Sequence, residues 1–388
     1  MKISVLCFDV SGNAAGRADL LARLLAPLGS VEVMGPRSGP GVWEPVAAGP
    51  VRYRSVPARR MPAFITGMAE LARRADGDLI YASKPKLASA GVGYLKRCAG
   101  QRPLLLDIDD WEVGFYLRSG FWGTLGRALN LGNPNGLPWT WLCERLTGRA
   151  DGVTVASRFL QRRFGGTLIP HVRDTDAWKP GHRDAAHARR RLGVGEQRLV
   201  MFIGTPRDYK GLDDLAAAVA SLGRKDVALA VVGAAADSAT GRRILGRCPS
   251  ATLVPWVAFD QVPTLLSAAD VVAVPQRETP DTVGQVPAKI FDAMALGRPM
   301  ISTRVSMIPE ILDGCALLID PGDVSGLAAG ILRLLDHPAF AAALGARARE
   351  RCVERYSFHS ARRELFPLIE RAMAKPKGSP KVYPMVFP

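Results

Sequence analysis

The chain has 388 residues and lacks the features that mark several large protein classes. Its six cysteines (Cys7, Cys98, Cys143, Cys248, Cys315 and Cys352) stand far apart, with no CxxC pair and no Cys/His cluster. That argues against a disulfide scaffold or a local zinc site and predicts reduced thiols, mostly core fillers, in a cytosolic protein. No run reaches the roughly 18 apolar residues of a membrane span. The opening MKISVLCFDV is too short for a signal peptide and carries Asp9, so it is expected as a first strand. No dense Lys/Arg run or aromatic-basic stacking motif appears, which argues against nucleic acid. No repeat of about 20–50 residues is visible. Residues 1–170 contain no histidine; the five stand at 171, 182, 187, 337 and 359.

What is present fits a globular α/β protein. Hydrophobic residues make up 48% and charged residues 22%, and the length suits two domains. The net charge is +15. Residues 1–170 hold 22 basic and 13 acidic side chains, and the remainder 29 and 23, so the excess leans to the first half. Such a field favours anionic partners such as nucleotides or phospholipid head groups; a solvated Arg-rich surface explains it equally well.

Short apolar runs alternate with helical patterns throughout. Strands are expected at Ile3–Phe8, Val31–Met34, Leu79–Ala82, Leu104–Ile108 and Val153–Ala156, with helices at 16–28, 62–75 and 87–99. This alternation predicts a doubly wound parallel sheet. After the first strand, Gly12 and Gly16 flank a turn ending at Arg17, where a backbone can approach a ligand or simply reverse. The spacing is not GxGxxG, so a dinucleotide site is weakly supported. The strand LLLDI delivers Asp109, Asp110, Trp111 and Glu112 to its carboxyl end, as a cleft would require. Capping of the next helix is the alternative. Residues 115–148 are aromatic and basic, suiting either a membrane interface or an apolar acceptor, or ordinary helix packing.

Residues 172–197 are polar and turn-rich and read as a link between domains. A second series follows, with strands expected at 199–203, 228–232, 251–254, 271–274, 300–303 and 316–319 and a last helix at 359–374. The tail KPKGSPKVYPMVFP carries no local fold signal. In LVMFIGTPRDYKGL a buried strand ends at Gly204, and Arg207 and Lys210 precede a helix. Two cations there suit a diphosphate. The stretch from Asp270 to Thr303 reads as strand, loop, helix, strand, with Pro287 expected at the first helical position. A helix start at the carboxyl end of a buried strand suits phosphate.

GTPRDYKGL, followed by AKIFDAMALGRPMIST and then PEIL at 309–312, resembles the nucleotide-sugar glycosyltransferases of the large bacterial family 4, which have the GT-B fold. The resemblance covers most of the second domain. It implies two Rossmann-like domains with parallel sheets facing a cleft: 1–175 for the acceptor, 176–358 for the donor, and 359–388 as a crossing helix and tail returning to the first. It implies a retaining glycosyltransferase that needs no metal and no cofactor beyond its UDP- or GDP-linked sugar donor. Arg207 and Lys210 would neutralise the diphosphate, and backbone N–H groups around Gly284, Gln285 and Val286 would cradle it. Gly204, Trp256, Val257 and Lys289 complete the donor contacts, with Asp292 on the ribose. Gly12, Gly16, Arg17, Trp111 and Glu112 would meet a glycan or lipid-linked acceptor, and Asp109 or Asp110 would orient the reacting groups. A cytoplasmic protein is expected, with a peripheral place at the inner face of an anionic membrane as an extension.

Two departures stand out. The family's two glutamates are separated by seven residues; here Gly284 replaces the first and the shorter Asp292 the second. Glu278 or Asp281 is a substitute for the sugar contact. The family's first-domain histidine is missing, and Asp109 or Asp110 stands near its place. A scaffold that has lost catalysis, and a nucleotide-sugar epimerase of the same architecture, are the alternatives.

Overall fold

The computed structural model describes residues 1–100, 102–117, 120–181, 184–279 and 282–375. The chain forms two compact units: Met1–Pro170 together with the segment from Ala361, and His171–Ser360.

The first unit holds seven strands: β1 (Lys2–Cys7), β2 (Ser30–Arg37), β3 (Arg52–Pro57), β4 (Leu79–Ser83), β5 (Leu104–Ile108), β6 (Gly152–Val155) and β7 (Thr167–Leu168). All pair in parallel, in the order β3-β2-β1-β4-β5-β6-β7. β4 and β5 are buried along their whole length, because helices cover both faces and every side chain must be apolar or paired. β3 has no apolar run; RYRSVP is a half-exposed edge strand, which explains why a search for apolar runs passes over it. Leu6, Met34, Ile80, Leu104, Leu106 and Val155 anchor one continuous core.

The second unit holds β8 (Arg198–Ile203), β9 (Val227–Val232), β10 (Thr252–Val254), β11 (Val271–Val274), β12 (Met300–Thr303) and β13 (Leu317–Ile319). They too are parallel, in the order β10-β9-β8-β11-β12-β13. Val200, Phe202, Leu229, Val271, Ile301 and Ile331 centre its core.

In each sheet the chain winds outward in opposite directions from a central pair, β1/β4 in the first and β8/β11 in the second. At such a switch point the loops after the two central strands diverge and leave a crevice at their carboxyl ends. Register fixes which loops share it: Cys7 pairs with Ser83, and Ser83 with Asp107.

Residues 172–197 are not a free connector. They include a helix, Ala185–Leu192, capped by Asp184, which accepts the His187 N–H at 2.7 Å. Its buried Ala188 and Leu192, one turn apart, belong to the second unit. The last helix, Phe358–Ala374, enters the first unit at Ala361. There Arg362 donates to the Leu24 and Arg23 carbonyls at 3.0 and 3.2 Å. The reading of the tail beyond Lys375 lies outside the described residues. No single helix among the described residues is long and apolar enough to cross a membrane.

Candidate functional site

In the first unit, strand ends gather a knot of buried charge. Lys84, the residue after β4, has φ +70°, a left-handed conformation unusual for a side chain of its size. It stays there because its neighbours fix it: its N–H donates to the Asp107 carbonyl at 2.8 Å, and Ser89 Oγ donates to its own carbonyl at 2.7 Å. Its Nζ lies 2.9 Å from Asp109, 2.7 Å from Asp110 and 2.8 Å from Glu112. Lys86 Nζ meets the other Glu112 oxygen at 2.9 Å and donates to Tyr116 and Thr140 at 3.2 and 3.1 Å. The three carboxylates come close enough together to hold a cation, and the cation among them is the Lys84 ammonium.

The knot is electrically strained. Burial alone would lower the Lys84 pKa, and the surrounding carboxylates raise it well above its ordinary value. Burial opposes ionisation of Glu112, but Lys84 and Lys86 pull its pKa down to about 2. Asp109 goes the other way: burial, with Asp110 and Asp107 close by, pushes it up to about 6 despite Lys84. Of the three acids Asp110 is the most open, its side chain 18% exposed against 6% for Asp109 and 9% for Glu112.

In the second unit the balance reverses. The chain leaves β8 through Gly204, whose φ of +129° demands glycine; an added Cβ would also lie 2.8 Å from Nζ of Lys289. That ammonium rests 4.5 Å over the Phe202 ring, and burial pushes its pKa down to about 8. Arg207 is exposed, and its side chain has no ion-pair or hydrogen-bond partner among the described residues. Lys210 is buried and donates from Nζ to the amide oxygens of Gln276 at 2.9 Å and Gln285 at 3.1 Å. Ammonium groups only donate, so both side-chain carbonyls must face Lys210. The Gln276 NH2 then points away and, fully buried, has no partner among the described residues. Beyond β11, the helix Ala288–Ala295 starts one residue later than expected, with Pro287 as its cap and not its first residue. Of its first-turn N–H groups, that of Ile290 donates to the Pro287 carbonyl at 3.1 Å, and those of Ala288 and Lys289 have no partner within the helix.

A model of the family described as glycosyl transferases group 1 matches residues 197–337. The chain is 28% identical over 287 residues to a GDP-mannose-dependent alpha-(1-6)-phosphatidylinositol monomannoside mannosyltransferase of Mycolicibacterium smegmatis, covering 69% of this chain and 70% of that one. It is 29% identical to the MMP alpha-(1->4)-mannosyltransferase of Mycolicibacterium hassiacum, covering 54% of this chain and 49% of that protein. Among solved structures, Anabaena HepE in complex with UDP-glucose superposes with a TM-score of 0.73 at 20% identity, covering 95% of this chain and 99% of that one. Sucrose-phosphate synthase from Thermosynechococcus elongatus superposes with a TM-score of 0.71 at 21% identity, covering 96% and 99%. These likenesses establish the fold as GT-B, two Rossmann-like α/β domains. The match over residues 197–337 and the named relatives support a nucleotide-sugar glycosyltransferase similar to group 1.

In this glycosyltransferase several expected contacts are engaged elsewhere. Arg17 is no acceptor ligand. It is buried, forks onto Asp107 at 2.8 and 2.9 Å, and donates to the Ile169 and Pro170 carbonyls at 2.7 and 3.0 Å. Gly16 packs under the Trp43 ring, 3.1 Å from where a Cβ would stand, so its smallness serves helix packing. Gly12 lies in the turn before that helix, its carbonyl accepting the Ala15 N–H at 3.0 Å. Trp111 stacks against the Arg163 guanidinium at 4.5 Å. The Gln285 N–H donates to the Thr282 carbonyl at 3.0 Å, so its side chain, rather than its backbone, is the group turned to Lys210. Gly284 and Val286 flank it and are buried. Asp292 accepts from Nε of Arg173, so one of its oxygens is occupied before any ribose arrives. Glu278 is exposed in the loop after β11, and Trp256 is 41% exposed with Val257 half-buried beside it. Asp281 lies outside the described residues.

Sequence reasoning missed Lys84, Lys86 and Gln276. The signal for the lysines was a KPK directly after a buried strand; Gln276 stands two residues past β11. The cysteines are free thiols; Cys98 is exposed, and burial pushes Cys7, Cys143 and Cys352 up to about 12.

Proposed function

We propose that this enzyme takes a nucleoside-diphosphate sugar on its second unit and transfers the sugar to a hydroxyl acceptor with retention, without a metal ion. The observation that carries the reading is the gathering of three cations at the β8/β11 switch point: an exposed Arg207 and a desolvated Lys289, neither with a carboxylate at ion-pair distance among the described residues, and Lys210, which donates to Gln276 and Gln285. As the bond from the anomeric carbon to the phosphate oxygen breaks, negative charge grows on the leaving diphosphate. The three cations and the start of helix Ala288–Ala295 stabilise it, the work a divalent ion would otherwise do. The acceptor oxygen bonds to the anomeric carbon on the face the diphosphate leaves, and the departing phosphate accepts its proton. Asp110, the most open of the three clustered acids, orients the acceptor, with Asp109 behind it.

Gly284 carries no side chain for the sugar, and Glu278 is the described acid available for that contact. The similar mannosyltransferase named for GDP-mannose puts that donor first in a panel, with UDP-glucose second. A lipid-linked or envelope-glycan acceptor and a peripheral place at the cytoplasmic face of a membrane belong to the same reading. The test is transfer and donor hydrolysis by Arg207→Ala and Lys210→Ala, with calorimetry against GDP and UDP and a chelator control. Near-normal turnover in both variants would overturn the assignment, and loss of turnover on chelation would overturn metal independence.

A further inference from the structure

The first unit carries an apolar face that the donor chemistry does not use. On the helix Gly120–Ala128 and just past it, Trp122, Leu125 and Leu129 fall three and four residues apart, hence on one side, and are 79%, 41% and 73% exposed. Leu131 is 58% exposed, and on the helix Leu137–Arg145 Trp141 and Leu142 are 49% and 38% exposed. Soluble proteins expose single large apolar side chains freely, but six in a 21-residue stretch, two of them tryptophan, call for an occupant.

The segment is built to hold them outward. The Trp139 indole N–H donates to the Leu131 carbonyl at 3.0 Å, the Met61 N–H donates to the Gly132 carbonyl at 3.1 Å, and the Tyr116 hydroxyl donates to the Asn135 carbonyl. These bonds pin the connection between the two helices from within.

Charge selects the occupant. Residues 113–143 contain no Asp or Glu. Arg127 and Arg145 are exposed on the same two helices, and the Arg145 guanidinium sits 4.8 Å over the Trp141 ring. The first acid beyond the stretch, Glu144, turns inward to accept the Val113 N–H at 3.0 Å. Tryptophan rings beside arginines, with no negative charge among them, match the head-group level of an anionic bilayer. We propose that the face formed by helices Gly120–Ala128 and Leu137–Arg145 docks this enzyme on an anionic lipid surface. The inference deepens the peripheral-membrane part of the proposed function and rests on it, while the vesicle readout is separate from donor binding.

The experiment uses the full chain with vesicles of phosphatidylcholine alone and of phosphatidylcholine mixed with phosphatidylglycerol. The wild type is expected to co-sediment with the mixed vesicles at low salt, to be released as salt rises, and to show a blue shift of tryptophan emission. Trp122→Ser with Leu129→Ser should lower the partition coefficient by at least about tenfold, from the lost apolar burial. Arg127→Glu should lower it by at least about fivefold at low salt, with less effect at high salt. Thermal unfolding and GDP or UDP binding without vesicles control for folding of each variant and report separately on the donor reading. The docking proposal is overturned by wild-type protein that stays in the supernatant with both vesicles, or by a Trp122→Ser, Leu129→Ser variant that binds like wild type. A wild type that is dimeric without lipid, made monomeric by those substitutions, would also overturn it and make the face an interface between copies.

Discussion

The two strand-end clusters are built on the same sheet topology and carry opposite electrostatic designs. In the first unit, two lysines are shared among Asp109, Asp110 and Glu112, so the cluster is complete in itself and slightly negative. In the second, Arg207 and Lys289 have no carboxylate at ion-pair distance among the described residues. Burial shifts each cluster toward neutrality: Asp109 holds its proton up to about 6, and Lys289 gives its up above about 8. The contrast separates two uses of buried charge. A self-paired cluster organises backbone and presents one acid. A cationic cluster whose Arg207 and Lys289 have no carboxylate at ion-pair distance suits an anion.

The sharpest way to break this comparison is to remove the central cation of each cluster and ask what is lost. Lys84→Met deprives Asp109, Asp110 and Glu112 of their shared cation, leaving Glu112 with Lys86 and Asp109 buried without Lys84, and uncompensated buried charge costs about 3–5 kcal/mol. Urea unfolding should therefore show a large loss of stability in Lys84→Met, against almost none in Arg207→Ala, whose side chain is exposed. Equal stability of the two variants would erase the distinction.

Activity should rank them differently. Arg207→Ala is expected to cost on the order of 10²–10³ in transfer rate with the fold intact, since it removes charge stabilisation felt mainly as the diphosphate leaves. A rate within a few-fold of wild type in steady-state assays would show that the exposed cation is not at the anion site.

Lys289 sharpens the second half. With its pKa pushed down to about 8, the ammonium is half discharged at that pH. Nucleotide affinity measured by calorimetry should fall as pH rises through 8, and binding below that range should not be accompanied by proton release from this lysine. Lys289→Met should weaken binding at pH 7 and flatten the pH dependence. A profile identical to wild type would remove Lys289 from the donor site.

The smallest effect concerns stability against pH in the first unit. Glu112, depressed to about 2, contributes stability that is present above its unfolded value and is lost as pH falls toward 2. Asp109, raised to about 6, works in reverse: between its unfolded value and 6 the folded state holds a proton the unfolded chain has released, so stability declines as pH rises through that window. Asp109→Asn should abolish the decline in pH-resolved urea titrations, while Glu112→Gln should abolish the acid-side loss.

Much of this was legible in the sequence. Apolar runs and helical spacing located β1, β2, β4, β5 and β6 of the first sheet and all six strands of the second within a residue or two, save β2, which runs to Arg37. They failed for the polar edge strand β3 and the two-residue β7, where no buried run exists to be read. Arg207 and Lys210 were visible because phosphate sites follow strand ends, a local pattern. What the sequence by itself determined was therefore the periodic and the local: two parallel sheets, their loops, and the cations just past Gly204. Tertiary structure decided which charges meet. Arg17 reaches Asp107 across 90 residues of chain, and Arg173 reaches Asp292 across 119. Periodicity carries no information about such distant pairs, because the sheet order, not the chain order, brings β4 beside β5 and so delivers Lys84 to the acids that follow Ile108.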